Sequence, residues 1–317
     1  MAGASKDWES KVLLFENEVT EGVDPTPLIT TDAFKVLNYV PQFMDADQKV
    51  RKIEKAYFGA DPVAMSGFKR GATFDMEMHG AGIPAGTGIP PWMKMLRWAG
   101  FGAPVVGASS VVLSPTTLNQ ASATHYGYID DLLLKSFGMR GSVSFKIEDD
   151  EYPIFSLDFL GRPPTNLAEQ AAPGVPTITG YIDPVLSSTE NTTFMYDGFA
   201  APLRRLTLAD NAQREYRSLI NPQDRVIYSG RAWRGEMVIE VGDLSVKNYF
   251  TGIREGTTRA AQVVQGMASG NIVQIDMPKL QVTGNVSLSN EQGKTMATIP
   301  VTALPNLGND EVVFTSK

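Results

Sequence analysis

MSGFKRGATFDMEMHG, residues 65–80, alternates side chains of opposite character: Phe74, Met76 and Met78 fall on one side, Asp75, Glu77 and His79 on the other. Successive side chains of an extended chain point to opposite faces. The stretch is therefore a strand with one oily face and one acidic face. Its acidic row admits two readings: a catalytic set whose members sit roughly 7 Å apart, or the solvated side of a half-buried wall.

A second copy of the stretch decides between them. VIYSGRAWRGEMVIEVG, residues 226–242, answers to it at an offset of 163, with Arg51 meeting Arg214, Asp61 meeting Asp224, Val63 meeting Val226, Ser66–Gly67 meeting Ser229–Gly230 and Glu77 meeting Glu240. Phe74, Met76 and Met78 meet Met237, Ile239 and Val241, so the apolar face is kept, while Asp75 becomes Val238 and His79 becomes Gly242. A wall tolerates such losses and an active site does not. Downstream, Gly141-Ser-Val143 answers to Gly284-Asn-Val286 and Phe145 to Leu288. Two blocks in the same order indicate a duplicated unit. The expected organisation is a first domain at 1–165, a linker at 166–177 within the Pro- and Ala-rich run PPTNLAEQAAPGVPT, and a second domain at 178–317.

Further alternating segments lie at Gly141–Glu148, Pro153–Leu160, Glu236–Val241, Gln281–Ser289 and Lys294–Ala303. The fold class is mainly β. FKIEDDEYPIFSLDF reads as a hairpin turning at Asp149–Pro153, and VSLSNEQGKTMATIPV as one turning at Asn290–Gly293. The spacing of Trp92, Met95, Leu96 and Ala99 behind Pro91 predicts a helix at Pro91–Trp98 that stops at Gly100. A second helix is expected around Leu244–Phe250, and Tyr128–Phe137 fits helix and strand equally.

Composition narrows the chemistry. With no cysteine and only His79 and His125 among 317 residues, thiolate nucleophiles, zinc–thiolate sites and iron–sulfur clusters are excluded, and little remains for a general base or a metal cage. No catalytic residue, metal site or cofactor is expected. A net charge of −7 opposes broad attraction to nucleic acid. The N-terminal apolar run is broken by Glu16 and Glu18, unlike a secretory signal, and no 18-residue apolar stretch predicts a membrane span. The Gly-rich loop GAGIPAGTGIPP, residues 80–91, departs from the dinucleotide fingerprint, and Pro90 and Pro91 remove the amides a phosphate would need. His125, among Tyr126 and Tyr128, reads as a packing histidine.

Two long segments, Val40–Val63 and Leu206–Val226, carry mixed charge with interspersed aromatics, including Phe43, Tyr57, Phe58 and Tyr216. Segments of this kind between core strands are functional or pack against something, and an arm lying on a neighbouring subunit would explain its exposed aromatics.

The blocks PPWMKMLRWAGFG, ATHYGYIDDLLLKSFGMRGSVSFKIEDDEYPIFSLDFLG and GNIVQIDMPKLQVTGNVSLSNEQGKTMATIPVTALPNLGNDEVVF resemble the tail tube proteins of long, non-contractile-tailed bacteriophages, over most of the chain. The resemblance implies two tandem β-sandwich or partial-barrel domains, each with a flanking short helix and a long arm. It also implies copies that assemble as stacked rings around a lumen through which double-stranded DNA passes without specific binding. Family members close six single domains into a ring, so a duplicated chain would close as a trimer of pseudo-six-fold symmetry, with a hexamer as the alternative. Implied partners are further copies, a tape measure protein and tail terminator or tip proteins, with no membrane, and the implied location is the virion tail. Asp75, Glu77, Glu236 and Glu240 are then expected to face the lumen. Glu148, Asp149, Asp150 and Glu151, with Phe43, Tyr57, Phe58 and Tyr216, are expected in ring-stacking or intersubunit contacts. The alternative within the class is a tail terminator or the inner tube of a contractile machine. An enzyme with a carboxylate pair at Asp75 and Glu77, and a carbohydrate-binding sandwich, are the readings from other classes.

Overall fold

Alternation becomes strand almost wherever it was expected. In the computed structural model, which describes residues 5–82, 88–220 and 224–317, the first half comprises β1 (Lys11–Asn17), β2 (Ala33–Phe34), β3 (Leu37–Val50), β4 (Val63–Glu77), the helix α1 (Pro91–Arg97), β5 (Val105–Val106), β6 (Val111–Leu113), β7 (Ala123–Ile129), β8 (Leu132–Glu148), β9 (Ile154–Arg162) and β10 (Glu169–Gln170). The ambiguous Tyr128–Phe137 proves to be strand, the end of β7 and the start of β8, interrupted only by a turn at 130–131, where Asp130 takes a φ of 54° that Asp tolerates better than most residues. Antiparallel pairing sets the order β2–β1–β7–β8–β9–β4–β3.

The second half comprises β11 (Thr192–Tyr196), β12 (Phe199–Ala200), β13 (Leu203–Ala209), β14 (Gln213–Arg217), β15 (Arg225–Gly230), β16 (Arg234–Glu240), β17 (Thr258–Gln265), β18 (Val273–Val282), β19 (Ser287–Glu291), β20 (Lys294–Leu304) and β21 (Val313–Ser316). Its pairings repeat the first order: β12–β11–β17–β18, with β18 and β19 both on β20, then β16 and β13. The span 281–289, expected as one strand, is broken at 283–286, so β18 and β19 together occupy the place of β8. The long hairpin β3–β4 likewise corresponds to two shorter pairs, β13–β16 and β14–β15.

The helix at Pro91 forms as expected, with buried Trp92, Met93, Met95 and Leu96, and Gly100 in the left-handed region at φ 85° just beyond it. The helix expected at Leu244–Phe250 does not form; the segment is a run of turns, so only one helix exists among the described residues. Asp243 and Asn248 turn their side chains back onto the amides of Ser245 and Phe250, which offers the backbone an alternative to helical bonding. Tyr249 is nonetheless buried, so the turns cover the second half much as α1 covers the first.

The halves are sewn together. β8 pairs with β13, and the C-terminal β21 pairs with β6 of the first half as well as β18 of the second. Phe314 on β21 lies 5.3 Å from Phe155, 5.8 Å from Phe145 and 5.6 Å from Phe101, centroid to centroid. One apolar core runs through both halves. The run at 163–177 is not a loose tether: β10 pairs with the start of β8, and Thr177 N–H donates to Ile29 O at 3.1 Å.

Candidate functional site

Eight strands follow one another without interruption in the order β3–β4–β9–β8–β13–β16–β20–β19, all antiparallel, four from each half. One face is core. Phe74 and Met76 of β4, Phe155 and Leu157 of β9, Phe145 and Ile147 of β8, Leu206 and Leu208 of β13, Met237 and Ile239 of β16, and Ala297 and Ile299 of β20 are all buried there. The other face is largely polar: Thr73 and Asp75 stand beside Asp158 and Ser156, these beside Ser142 and Ser144, Thr207 beside Lys146 and Glu236, and Thr298 beside Ser287, with Ala209, Val238 and Pro300 as apolar members among them. Thr73 and Asp158 are exposed and Asp75, Ser142, Ser144 and Ser156 partly so, so water wets the first half's part of this face.

The expected acids lie on that face, in different states. Asp75 is half-buried and accepts a hydrogen bond from Asn38 Nδ2 at 2.8 Å. Glu77, half-buried, lies 3.4 Å from Lys35 Nζ. Glu236 is held by Arg205 at 2.6 Å, which cancels its charge locally, and Glu240 ends β16. The third member of the acidic row is elsewhere: β4 stops at Glu77, and His79 is buried, with Nδ1 2.6 Å from Gly80 O and its ring against Tyr181. Burial pushes the imidazole's pKa down, away from the range of a surface base. His125 is a packing histidine, paired with Tyr39 Oη at 3.1 Å and pushed down to about 3 by burial first and by Arg70 second. The catalytic row therefore does not assemble.

Sequence reading missed two charged residues. Asp210, buried at the end of β13, has a pKa pushed up to about 7 by burial, against the pull of the amide of Ala212 and of nearby Arg214. Arg70, buried beneath β3, donates to the carbonyls of Phe43, Lys135 and Leu167 at 2.7, 2.6 and 2.5 Å. It occupies the position that Trp233 holds in the second half at the offset of 163, and an alternation pattern registers neither substitution nor burial.

The ends of the eight-stranded sheet differ. At one end Glu77 pairs with Ile154 beside the Glu148–Glu151 turn; at the other Arg70 pairs with Gly161, and β3 and β4 run on into the first arm. The acidic turn is tied down: Glu148 and Glu151 share Lys146, Asp149 N–H donates to Arg204 O, and Asp150 N–H to Ser187 O. Side chains of Asp149 and Asp150 remain exposed. In the first arm Tyr57 and Phe58 are fully exposed to solvent and Phe43 is half-exposed under the Arg70 guanidinium. Tyr216 differs from the expectation for an exposed aromatic: the second arm, β14–β15, folds back on the first half, Arg214 binds Asp158 at 2.7 Å, and Tyr216 is half-buried. Residues 83–87 of the Gly-rich loop and 221–223 at the tip of the second arm lie outside the described residues.

A family model described as phage tail tube protein matches residues 97–303, about two thirds of the chain and parts of both halves. The chain belongs to the phage tail tube protein family. Its place is the tail of the virion and its role there is structural. Among curated proteins, none matches. For a tail tube chain, a sheet with one polar face and two unpaired outer strands is the part of the geometry that bears on assembly.

Proposed function

We propose that copies of this tail tube chain join side by side into rings of three, each half taking every second position of a pseudo-six-fold ring, and that the rings stack into the conduit for genome ejection. The repeated strand order and the two sequence blocks support a duplicated domain, with 1–165 and 178–317 as its copies. The observation that carries the reading is the uninterrupted eight-stranded sheet. Three copies would give 3 × 8 = 24 strands, and at about 4.8 Å per strand with a tilt of 35–45° such a barrel is roughly 45–50 Å across its backbone, with room for duplex DNA. The thick layer of α1, β1, β7 and the Tyr249 turns must lie outside, where the circumference is larger. The polar face, with Asp75, Glu77 and Glu240, then lines the lumen and repels phosphate, and Glu236 contributes little because Arg205 neutralises it.

Further copies, a tape measure protein and terminator or tip proteins are the partners of this role, and the chain performs no catalysis. Cryo-electron microscopy of tubes assembled from the purified protein tests the proposal. Long tubes with Asp75 and Glu77 on the inner wall are expected; these side chains on the outer wall would refute the lumen assignment. Single rings without tubes would favour a terminator.

A further inference from the structure

The junction between the halves is a template for the junction between copies. Inside the chain, β13 of the second half pairs with the far edge of β8, Thr207 opposite Lys146 and Leu208 opposite Phe145. Asp210 N–H to Val143 O and Asp149 N–H to Arg204 O, both 3.0 Å, close the ladder at its ends. Because the strand order repeats, each partner has an equivalent. Met76–Phe155–Phe145 across β4, β9 and β8 corresponds to Ile239–Ala297–Leu288 across β16, β20 and β19. Thr73–Val40 across β4 and β3 corresponds to Glu236–Thr207 across β16 and β13. The equivalents of the joined edges are therefore β19 and β3. Among the described residues β19 pairs only with β20 and β3 only with β4, so both edges are open.

Exposure marks these edges as half of an interface. Phe145, at the internal junction, is 1% exposed, whereas its equivalent Leu288 is 64% exposed. The arms behave the same way. Val226 of the second arm, docked on the first half, is 1% exposed, and its equivalent Val63 in the first arm is 49% exposed. What covers Phe145 and Val226 inside the chain is missing from around Leu288 and Val63.

We infer that β19 of one copy pairs antiparallel with β3 of a second copy in the register of the internal junction, Ser289 opposite Val40 and Leu288 opposite Pro41, with the first arm of the second copy lying over the second half of the first. This assignment of the intersubunit edge rests on the ring reading above. A head-to-tail contact of this kind repeats until it closes, and it consumes both open edges. Two features tune it. Pro41 falls where an amide would donate, so the ladder is one bond short, a device that discourages promiscuous edge pairing. Lys11 Nζ, 3.2 Å from Tyr39 O, covers one outward carbonyl of β3 until a partner strand arrives.

Thr207 and Lys146 are a non-hydrogen-bonded pair of the ladder, because the closing bonds fix Arg204 and Asp210 as the residues whose backbone groups face β8. Val40 and Ser289 inherit that geometry, in which Cα atoms stand about 4.5 Å apart, within disulfide range. The chain has no cysteine of its own. The test is the double variant V40C/S289C, assembled, oxidised and run on a non-reducing gel beside each single variant and a mixture of the two singles, with assembly followed by electron microscopy. A covalent ladder in the double variant and dimers in the mixture are expected, with melting of the reduced protein unchanged because both positions are exposed. Tubes or rings that form without cross-linking would overturn the edge assignment alone. Cross-linked rings that never stack would support it and overturn the tube; absence of both assembly and cross-links would overturn the two together.

Discussion

Asp210 is the residue at which the fold pays a penalty that pH can expose. Its carboxyl is buried between β13 and the start of the second arm, 3.3 Å from Tyr228 Oη, and its pKa is pushed up to about 7 against about 3.9 in an unfolded chain. Between these values the folded state holds a proton that the unfolded state has released, so this group's contribution to stability is fully present below about pH 4. It is lost as pH rises to about 7, at no more than about 1.4 kcal/mol per pH unit. Asp210→Asn keeps the acceptor for the Ala212 amide without the charge. Urea melts of the unassembled variant at pH 5 and pH 8 should therefore differ less than those of the unchanged protein. An equal loss of stability in both would assign the pH dependence to other groups. Glu18 shows the opposite solution to burial: its two oxygens accept from Ser122, Thr124 and the amides of Gly22 and Gly138, at 2.6–2.8 Å, and these four donors offset its desolvation.

At the scale of elements, the acidic turn and the first arm leave the sheet at opposite ends, so in the proposed stack one ring's turns would be neighbours of the next ring's arms. Asp149 and Asp150 are the exposed part of that turn, whereas Glu148 and Glu151 are engaged by Lys146. The variant D149K/D150K should still form rings, since β3 and β19 are untouched, but should yield fewer and shorter tubes in electron micrographs. Tubes of unchanged length would remove the turn from the stacking contact. The strands and hairpins behind this argument were legible because alternation is local: Phe74, Met76 and Met78 mark a core face whatever surrounds them. The Leu244–Phe250 turns were not, because Asn248 and Asp243 compete for their own backbone in a way that spacing of apolar residues does not register. Nor was the burial of His79, since the strand ends two residues before it and the alternation of the sequence does not.

For the whole molecule, the decisive relation is between a sheet and its repetition. The sequence showed that Val63 answers to Val226, but only the fold shows that Val226 is covered within its own chain while Val63 is exposed, the difference that the proposed contact with a second copy would remove. Under the proposed edge-to-edge closure the same relation turns the polar face inward, because the bulky layer is left outside. A lumen lined by acids should be convertible into one that holds DNA. D75K/E77K replaces two acids with two bases, which moves the chain from −7 to −3 and adds 3 × 4 = 12 positive charge units to a ring of three. Asp75 and Glu77 are half-buried on the polar face, with Glu77 only loosely paired with Lys35, so neither change touches the apolar core and tubes should still form. In tubes assembled in the presence of short duplex DNA, the variant should retain DNA at low salt and release it steeply as salt rises, because phosphate contacts are paid back in released counterions. Tubes of the unchanged protein should retain little at any salt. Equal retention by the two, with tubes intact, would place Asp75 and Glu77 away from the passage.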